Sequence, residues 1–167
     1  YVVALSPWSV QEMYDLTIEA FNLSEMLRVP ALVMADEAVG HLRERIRIRE
    51  EVEIYERDRS ADVPPFNPEP PENIPPMPAF GDGAKLLVTG STHDAWGFRK
   101  TADPLTQARL IRHLKEKVVS RTREIAKFEE YFAKDAEIVV VAYGFAARAA
   151  LRAVKKMREE GRRIGLL

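Results

Sequence analysis

The sequence contains no cysteine in 167 residues. That excludes disulfides, thiolate zinc sites and cysteine-ligated iron–sulfur clusters built from its own residues. Its three histidines, His41, His93 and His113, stand far apart and show no ligand spacing such as H-E-x-x-H. No metal site is therefore expected. No apolar run approaches the roughly 20 residues that span a bilayer, and no short apolar segment follows a basic start as a signal peptide would. Neither sign of charge dominates: 25 basic residues face 26 acidic ones, for a formal net charge of -1. No global basic field draws the chain to nucleic acid. The G-x-G-x-x-G fingerprint, the P-loop and the nucleophile-elbow serine are missing too, as is any internal repeat. These absences predict a cytoplasmic protein with neither nucleic acid nor membrane among its partners.

What the chain does hold is 46% hydrophobic residues, enough to pack one domain or parts of two. Its organising stretch runs over residues 138–150. The β-branched run Ile138-Val139-Val140-Val141 reads as a strand buried on both faces. Gly144 lets the backbone turn sharply, and a helical pattern continues to about Glu160. Gly161 stops it, and an apolar run resumes at residues 163–167. Strand, turn, helix, strand is one parallel crossover unit.

The first part repeats that logic. Residues 1–5 read as a buried strand, and Ser6-Pro7-Trp8 as a turn. Ser9, three residues before Glu12, makes a capping box. The helix it starts extends to about Arg28, with Val10, Met13, Tyr14, Thr17, Ala20 and Phe21 as its buried stripe, and Val29-Pro30 ends it. Residues 31–35 are a second buried strand, after which Asp36 caps a helix reaching about Arg45. With the two strands parallel and adjacent, the loops at residues 6–9 and 36–37 emerge where open α/β sheets place ligands. Between Ile46 and Arg59, Val52, Ile54 and interleaved glutamates alternate like an edge strand whose mixed charges solvate one face. Both ends fall inside strand-like runs, which predicts an interior piece of a longer protein.

Eight of the eleven prolines lie between Pro64 and Pro78, so residues 61–80 form a stiff, extended linker without a regular ladder. Residues 85–89 suit a strand, followed by the loop 90–98. Asp103 and Pro104 then cap and open a long helix, with Ile111, Leu114, Val118, Ile125, Phe128 and Phe132 as its buried stripe.

Few residues are candidates for chemistry. His93-Asp94 could orient an imidazole for acid–base work, against a turn histidine bonded to local backbone. Gly90-Ser91-Thr92 could offer donors to a phosphate, against plain turn chemistry. Gln11 and Glu12 stand near a helix start, and Asp36 and Glu37 at another, yet Glu12 and Asp36 already have capping roles. Trp8 suits an interface anchor or ordinary core. The spacing yields no complete active site.

The run Leu5-Ser6-Pro7-Trp8-Ser9-Val10-Gln11-Glu12-Met13-Tyr14-Asp15-Leu16-Thr17, with Ala20-Phe21-Asn22-Leu23, Val29-Pro30 and Asp36-Glu37-Ala38-Val39-Gly40-His41, resembles the alpha subunit of 2-oxoacid:ferredoxin oxidoreductases. The 2-oxoglutarate type is nearest. Gly90-Ser91-Thr92-His93-Asp94-Ala95-Trp96-Gly97, Ala142-Tyr143-Gly144-Phe145-Ala146-Ala147-Arg148 and the closing residues 160–167 match the same family in order. The resemblance covers nearly the whole chain. It implies an enzyme that oxidatively decarboxylates a 2-oxoacid, forms an acyl-CoA and passes electrons to ferredoxin, using thiamine diphosphate with magnesium and iron–sulfur clusters in the whole complex.

The implied fold is a partial three-layer parallel α/β sheet of the thiamine-diphosphate pyrimidine-domain type, followed by the start of a transketolase C-terminal-like domain. Residues 1–60 would be the C-terminal half of the first domain, 61–80 the Pro-rich linker, 81–134 a strand-loop and long helix, and 135–167 the start of the next domain. The implied partners are the beta subunit and further small subunits, with ferredoxin and coenzyme A at the level of the complex. The family's cofactor-activating glutamate, its Tyr-Pro-Ile-Thr-Pro-Ser motif and its Thr-Ser-Gly-Pro-Gly loop do not occur in this sequence. No catalytic residue is carried over, no cofactor is expected on this piece alone, and activity is expected only in the assembly. The rivals are a non-enzymatic α/β interaction module and a flavodoxin-like nucleotide binder at Gly144 or Gly90-Ser91.

Overall fold

A computed structural model describes the whole chain, residues 1–167. Strand β1 (Val3–Leu5) leads to helix α1 (Val10–Leu27), strand β2 (Ala31–Val33) and the short helix α2 (Glu37–His41). A long irregular stretch precedes α3 (Pro104–Val119) and α4 (Thr122–Ile125), and β3 (Ile138–Val140), α5 (Gly144–Glu159) and β4 (Ile164–Leu166) close the chain. The strands form two pairs, β1 with β2 and β3 with β4. β3 and β4 are parallel, with Ile138 opposite Ile164 and Val140 opposite Leu166. In the other pair the Val3 amide bonds the Pro30 carbonyl and the Met34 amide bonds the Leu5 carbonyl. The partners rise together along both strands, which is the parallel sense. The chain is α/β, and each pair is the strand–helix–strand crossover that the sequence predicts.

The residues divide into two compact units. One comprises Ala4–Phe21, Ala31–Glu53 and Ala126–Leu167. Its core is Leu5, Ala20, Val39, Ala147, Val154 and Leu166. Tyr131 and Leu166 exchange both backbone hydrogen bonds at 2.9 Å, so a short antiparallel bridge lies beside β4. Gly165 permits this approach: a Cβ there would stand 2.9 Å from both the Ala133 Cα and the Phe132 carbonyl oxygen. Arg158 of α5 locks the corner, donating to the Ile164 and Phe132 carbonyls and pairing with Asp135 at 2.8 Å.

The other unit comprises Tyr1–Val3, Asn22–Pro30 and Ile54–Ile125. Its apolar centre is Val3, Leu23, Leu27 and Val29. The proline-rich segment is here a strap tied down by cations. Arg28 donates to the Pro65 and Pro75 carbonyls at 2.7 and 3.0 Å and lies 5.5 Å over the Phe66 ring. Arg121 reaches the Glu72 carbonyl at 2.8 Å, His113 Nδ1 the Pro71 carbonyl at 2.8 Å, and Lys117 Nζ the Arg28 carbonyl at 2.9 Å. Proline has a carbonyl but no N–H, so such a segment carries more acceptors than donors. Arginine is a donor without acceptors, and Arg28 and Arg121, with the His113 imidazole, supply the deficit. Burial pulls Lys117 down to about 8 and Arg28 down to about 10, each further lowered by a neighbouring cation. It lowers His113 as well.

Several sequence expectations give way. The α1 stripe is rotated: Ala20, Leu23 and Leu27 are buried, while Phe21 is 75% exposed. Helix α2 ends at His41 because Leu42 turns extended, with φ -65° and ψ 147°. Residues 46–59 pair with no strand; side chains of α1 take backbone groups of Arg47, Arg49 and Tyr55 instead. Residues 85–89 form no strand either, their short apolar run having no partner edge, and the local pairing is a bridge between His93 and Arg99. Helix α3 stops at Val119 rather than continuing to Phe132. Its buried residues are His113 and Lys117, whereas Ile111, Phe128 and Phe132 are exposed. The Pro71 carbonyl of the strap and the Arg28 carbonyl beyond α1 make that polar burial possible. Strands β2 and β3 are not buried on both faces: Leu32 and Met34 share one exposed face, and Ile138 and Val139, on opposite faces, are both exposed.

Candidate functional site at the carboxyl ends of the strands

In the first unit, three strand-to-helix turns converge. The chain leaves β1 at Ser6, whose Oγ donates to the Met34 carbonyl just beyond β2 at 3.1 Å. Asp36 occupies the N-cap position of α2, as the sequence predicts, yet its side chain makes no bond to that helix. It accepts instead from the Phe145 amide at the start of α5, at 2.5 Å and across 109 residues. Gly144, at φ +57°, makes this possible: a Cβ there would lie 2.4 Å from Asp36 Oδ2 and 3.2 Å from Ser6 Oγ. The sequence places two of these loops at one edge. It misses the third, because nothing local to Asp36 marks a partner so far away.

The start of α1 is equally closed. Ser9 Oγ accepts from the Glu12 amide at 3.1 Å, and Glu12 accepts from the Trp8 amide at 2.8 Å, one residue further back than the usual reciprocal cap. Burial raises the Glu12 pKa, partly opposed by that amide. Glu44 accepts from the Val10 amide at 3.2 Å and pairs with Arg148 of α5 at 2.6 Å. Trp8 is half-buried, its ring 6.2 Å from that of Tyr131. Gln11 grips the extended segment beyond α2, accepting from the Arg47 amide at 2.7 Å and donating to the Arg47 carbonyl at 3.2 Å. Tyr14 Oη accepts from the Arg49 amide, and Asp15 pairs with the Arg49 guanidinium at 2.8 Å. Gln11 is therefore a backbone clamp. A cleft of about 460 Å³ beside it is lined by Gln11, Asp15 and residues 47–51, and its charges are mixed.

In the second unit the His93-Asp94 dyad dissolves. His93 is buried against Phe66 at 4.5 Å between ring centroids, and its Nδ1 meets the Asp94 carbonyl oxygen, not the carboxylate. The Asp94 carboxylate accepts from the Trp96 and Phe98 amides, both at 3.0 Å. This is the turn histidine bonded to local backbone. Ser91 and Thr92 are also engaged, by Thr89 and Gln107, so residues 90–92 are turn chemistry and not a phosphate cradle.

Residues 1–113 match the family model described as pyruvate flavodoxin/ferredoxin oxidoreductase, thiamine diphosphate-binding. The chain belongs to this family. Among curated relatives of the oxidoreductase family, the chain is 45% identical over 99% of its length to the 2-oxoglutarate synthase subunit KorA of Methanothermobacter thermautotrophicus, and 43% to that of Methanocaldococcus jannaschii. It is 36% identical to the ketoisovalerate oxidoreductase subunit VorB of Methanothermobacter thermautotrophicus. The chain spans 45% of the length of the two KorA relatives and 40% of VorB. A solved 2-oxoglutarate:ferredoxin oxidoreductase from Magnetococcus marinus superposes with a TM-score of 0.81 at 21% identity, over 99% of this chain and 30% of that one. That likeness establishes the fold.

The edge residues fit neither the diphosphate of the thiamine diphosphate that the family description names nor a metal ion. A diphosphate needs free donors or cations, and helix N-termini commonly supply them. Here the starts of α1 and α5 already face carboxylates of the chain itself, Glu12, Glu44 and Asp36. No three His, Asp or Glu side chains gather to hold a metal ion. What the edge does chemically is close and rigidify three turns.

Proposed function

We propose that this chain is part of the alpha subunit of a 2-oxoacid:ferredoxin oxidoreductase acting on 2-oxoglutarate. In that role its residues shape the floor and subunit-facing surface of a thiamine site completed by other chain. The identity of 43–45% with relatives named for 2-oxoglutarate, over 99% of this chain, carries the reading. The reaction is decarboxylation of the 2-oxoacid with capture of the acyl group by coenzyme A. Two electrons would leave for ferredoxin through the complex's iron–sulfur clusters, and thiamine diphosphate with magnesium, held by residues outside this chain, would supply the electron sink that decarboxylation needs. In this reading residues 1–60 end a pyrimidine-binding-type domain, 61–80 link, 81–134 carry the loop and long helix, and 135–167 begin a transketolase C-terminal-like domain. The beta subunit and smaller subunits are its partners in the cytoplasm; no helix here is long and apolar enough to cross a membrane.

The closed turns at Gly144 and at residues 90–92 argue against a nucleotide binder. The test is to co-express the full-length subunit with its partner subunits, isolate the assembly and follow coenzyme A-dependent dye reduction. Faster turnover with 2-oxoglutarate than with pyruvate or 2-ketoisovalerate is expected. Preference for 2-ketoisovalerate would reassign the substrate. Failure to reduce dye with any 2-oxoacid, or to associate with the partner subunits, would overturn the reading.

A further inference from the structure

Beyond α2, residues 42–49 run extended along α1 without joining a sheet. The backbone, rather than the side chains, carries much of the anchoring: Gln11 holds both polar groups of Arg47, and Tyr14 holds the Arg49 amide. Burial alternates from Leu42 to Arg47, beyond which Ile48 and Arg49 are both exposed. Leu42, Glu44 and Ile46 are half-buried, while Arg43, Arg45 and Arg47 are exposed. Alternate residues of an extended chain share one face, about 6.6 Å apart. Arg43, Arg45 and Arg47 are thus alternate, exposed residues of the segment. Their neighbours take other partners: Glu44 pairs with Arg148 and Asp15 with Arg49. Arg43, Arg45 and Arg47 form no ion pair at all.

We propose that Arg43, Arg45 and Arg47 form a docking ladder for an extended acidic polypeptide of a partner protein, one that presents carboxylates at alternate positions. The match is in period as well as charge. Each carboxylate of such a strand meets one planar guanidinium, which takes carboxylates in a two-pronged bond. A nucleic acid strand is disfavoured on two grounds. The ladder is bounded by exposed Glu37 on one side and by exposed Glu50, Glu51 and Glu53 on the other, which repel a longer polyanion. Single-strand sites also add aromatic platforms for the bases, and residues 42–54 contain no aromatic side chain.

The experiment uses the full-length subunit in its assembled enzyme and fluorescein-labelled hexapeptides at low salt. One probe alternates glutamate with threonine; a second has the same composition with its three glutamates contiguous; a third probe is an oligothymidylate of ten nucleotides. The alternating peptide should bind at least fivefold more tightly than the contiguous one. R43Q/R45Q/R47Q should weaken it about tenfold, while R109Q/R112Q on α3 should leave it unchanged. The exposed triple variant should keep the wild-type thermal midpoint, which separates lost docking from lost fold. Equal affinity for both peptides, unchanged binding by the triple variant, no saturable binding, or tighter binding of the oligothymidylate would each overturn the proposal.

Discussion

Gly144 meets two demands at once. Its φ of +57° is a left-handed conformation that side chains resist, and its missing Cβ leaves room for the Asp36 carboxylate. G144A should therefore cost about 1–3 kcal/mol in urea unfolding. D36A should cost about 1–2 kcal/mol, because the Phe145 amide loses its acceptor. The two costs should not add: with the carboxylate gone, the added methyl meets only Ser6 Oγ at 3.2 Å, and the backbone strain remains. Strict additivity would show that the turn is not built around this contact. That Gly144 opens a helix is legible from its place between a β-branched run and a helical one. That it makes room for Asp36 is not, because the partner lies 109 residues away.

At the scale of elements, the strap makes stability depend on pH. His113 holds its proton on Nδ1 toward the Pro71 carbonyl, and burial lowers its pKa beneath the usual 6.5. Between the lowered value and 6.5 the unfolded chain binds the proton and the folded chain does not. The contribution of His113 is thus full above about 6.5 and declines as pH falls through that window. Lys117, near 8 folded against 10.5 unfolded, adds a second rise in stability between about pH 8 and 10.5. H113Q keeps an amide donor for Pro71 and removes the titration, so its urea midpoint should fall less than wild type between pH 7 and pH 5. Equal losses in both proteins would remove His113 as the cause. Helix α3 also shows where sequence reading stops. Periodicity picks out Ile111 and Leu114 as core, but the Pro71 carbonyl of the strap and the Arg28 carbonyl beyond α1 receive His113 and Lys117 inside instead. Eight clustered prolines announce a stiff segment lacking donors; they do not reveal which cations will serve it. Gly165 gives the second test at this scale. G165A pushes a methyl into backbone at 2.9 Å and should cost roughly 1–3 kcal/mol, with loss of the Tyr131–Leu166 bridge seen as faster amide exchange.

Across the whole molecule, both crossovers were legible because strand, turn and helix signals are local. Burial was not, because it depends on what a strand meets. Val140 and Ala142 bond Leu167, so Val139 and Val141 direct their backbone groups away from β4. Ile138, Val139, Val141 and Tyr143 are 61, 45, 74 and 78% exposed, an apolar open edge. Such an edge promotes association. The chain should self-associate with concentration in light scattering, and V139K/V141K should suppress this without lowering the unfolding midpoint. Persistent association in that variant would place the contact elsewhere.

The clamp of Gln11 and Tyr14 on residues 47–49 has an evolutionary consequence. Because those side chains hold main-chain atoms, the segment stays in place whatever its outward residues become. Drift at positions 43, 45 and 47 can rewrite what this surface recognises without asking the underlying helix to change.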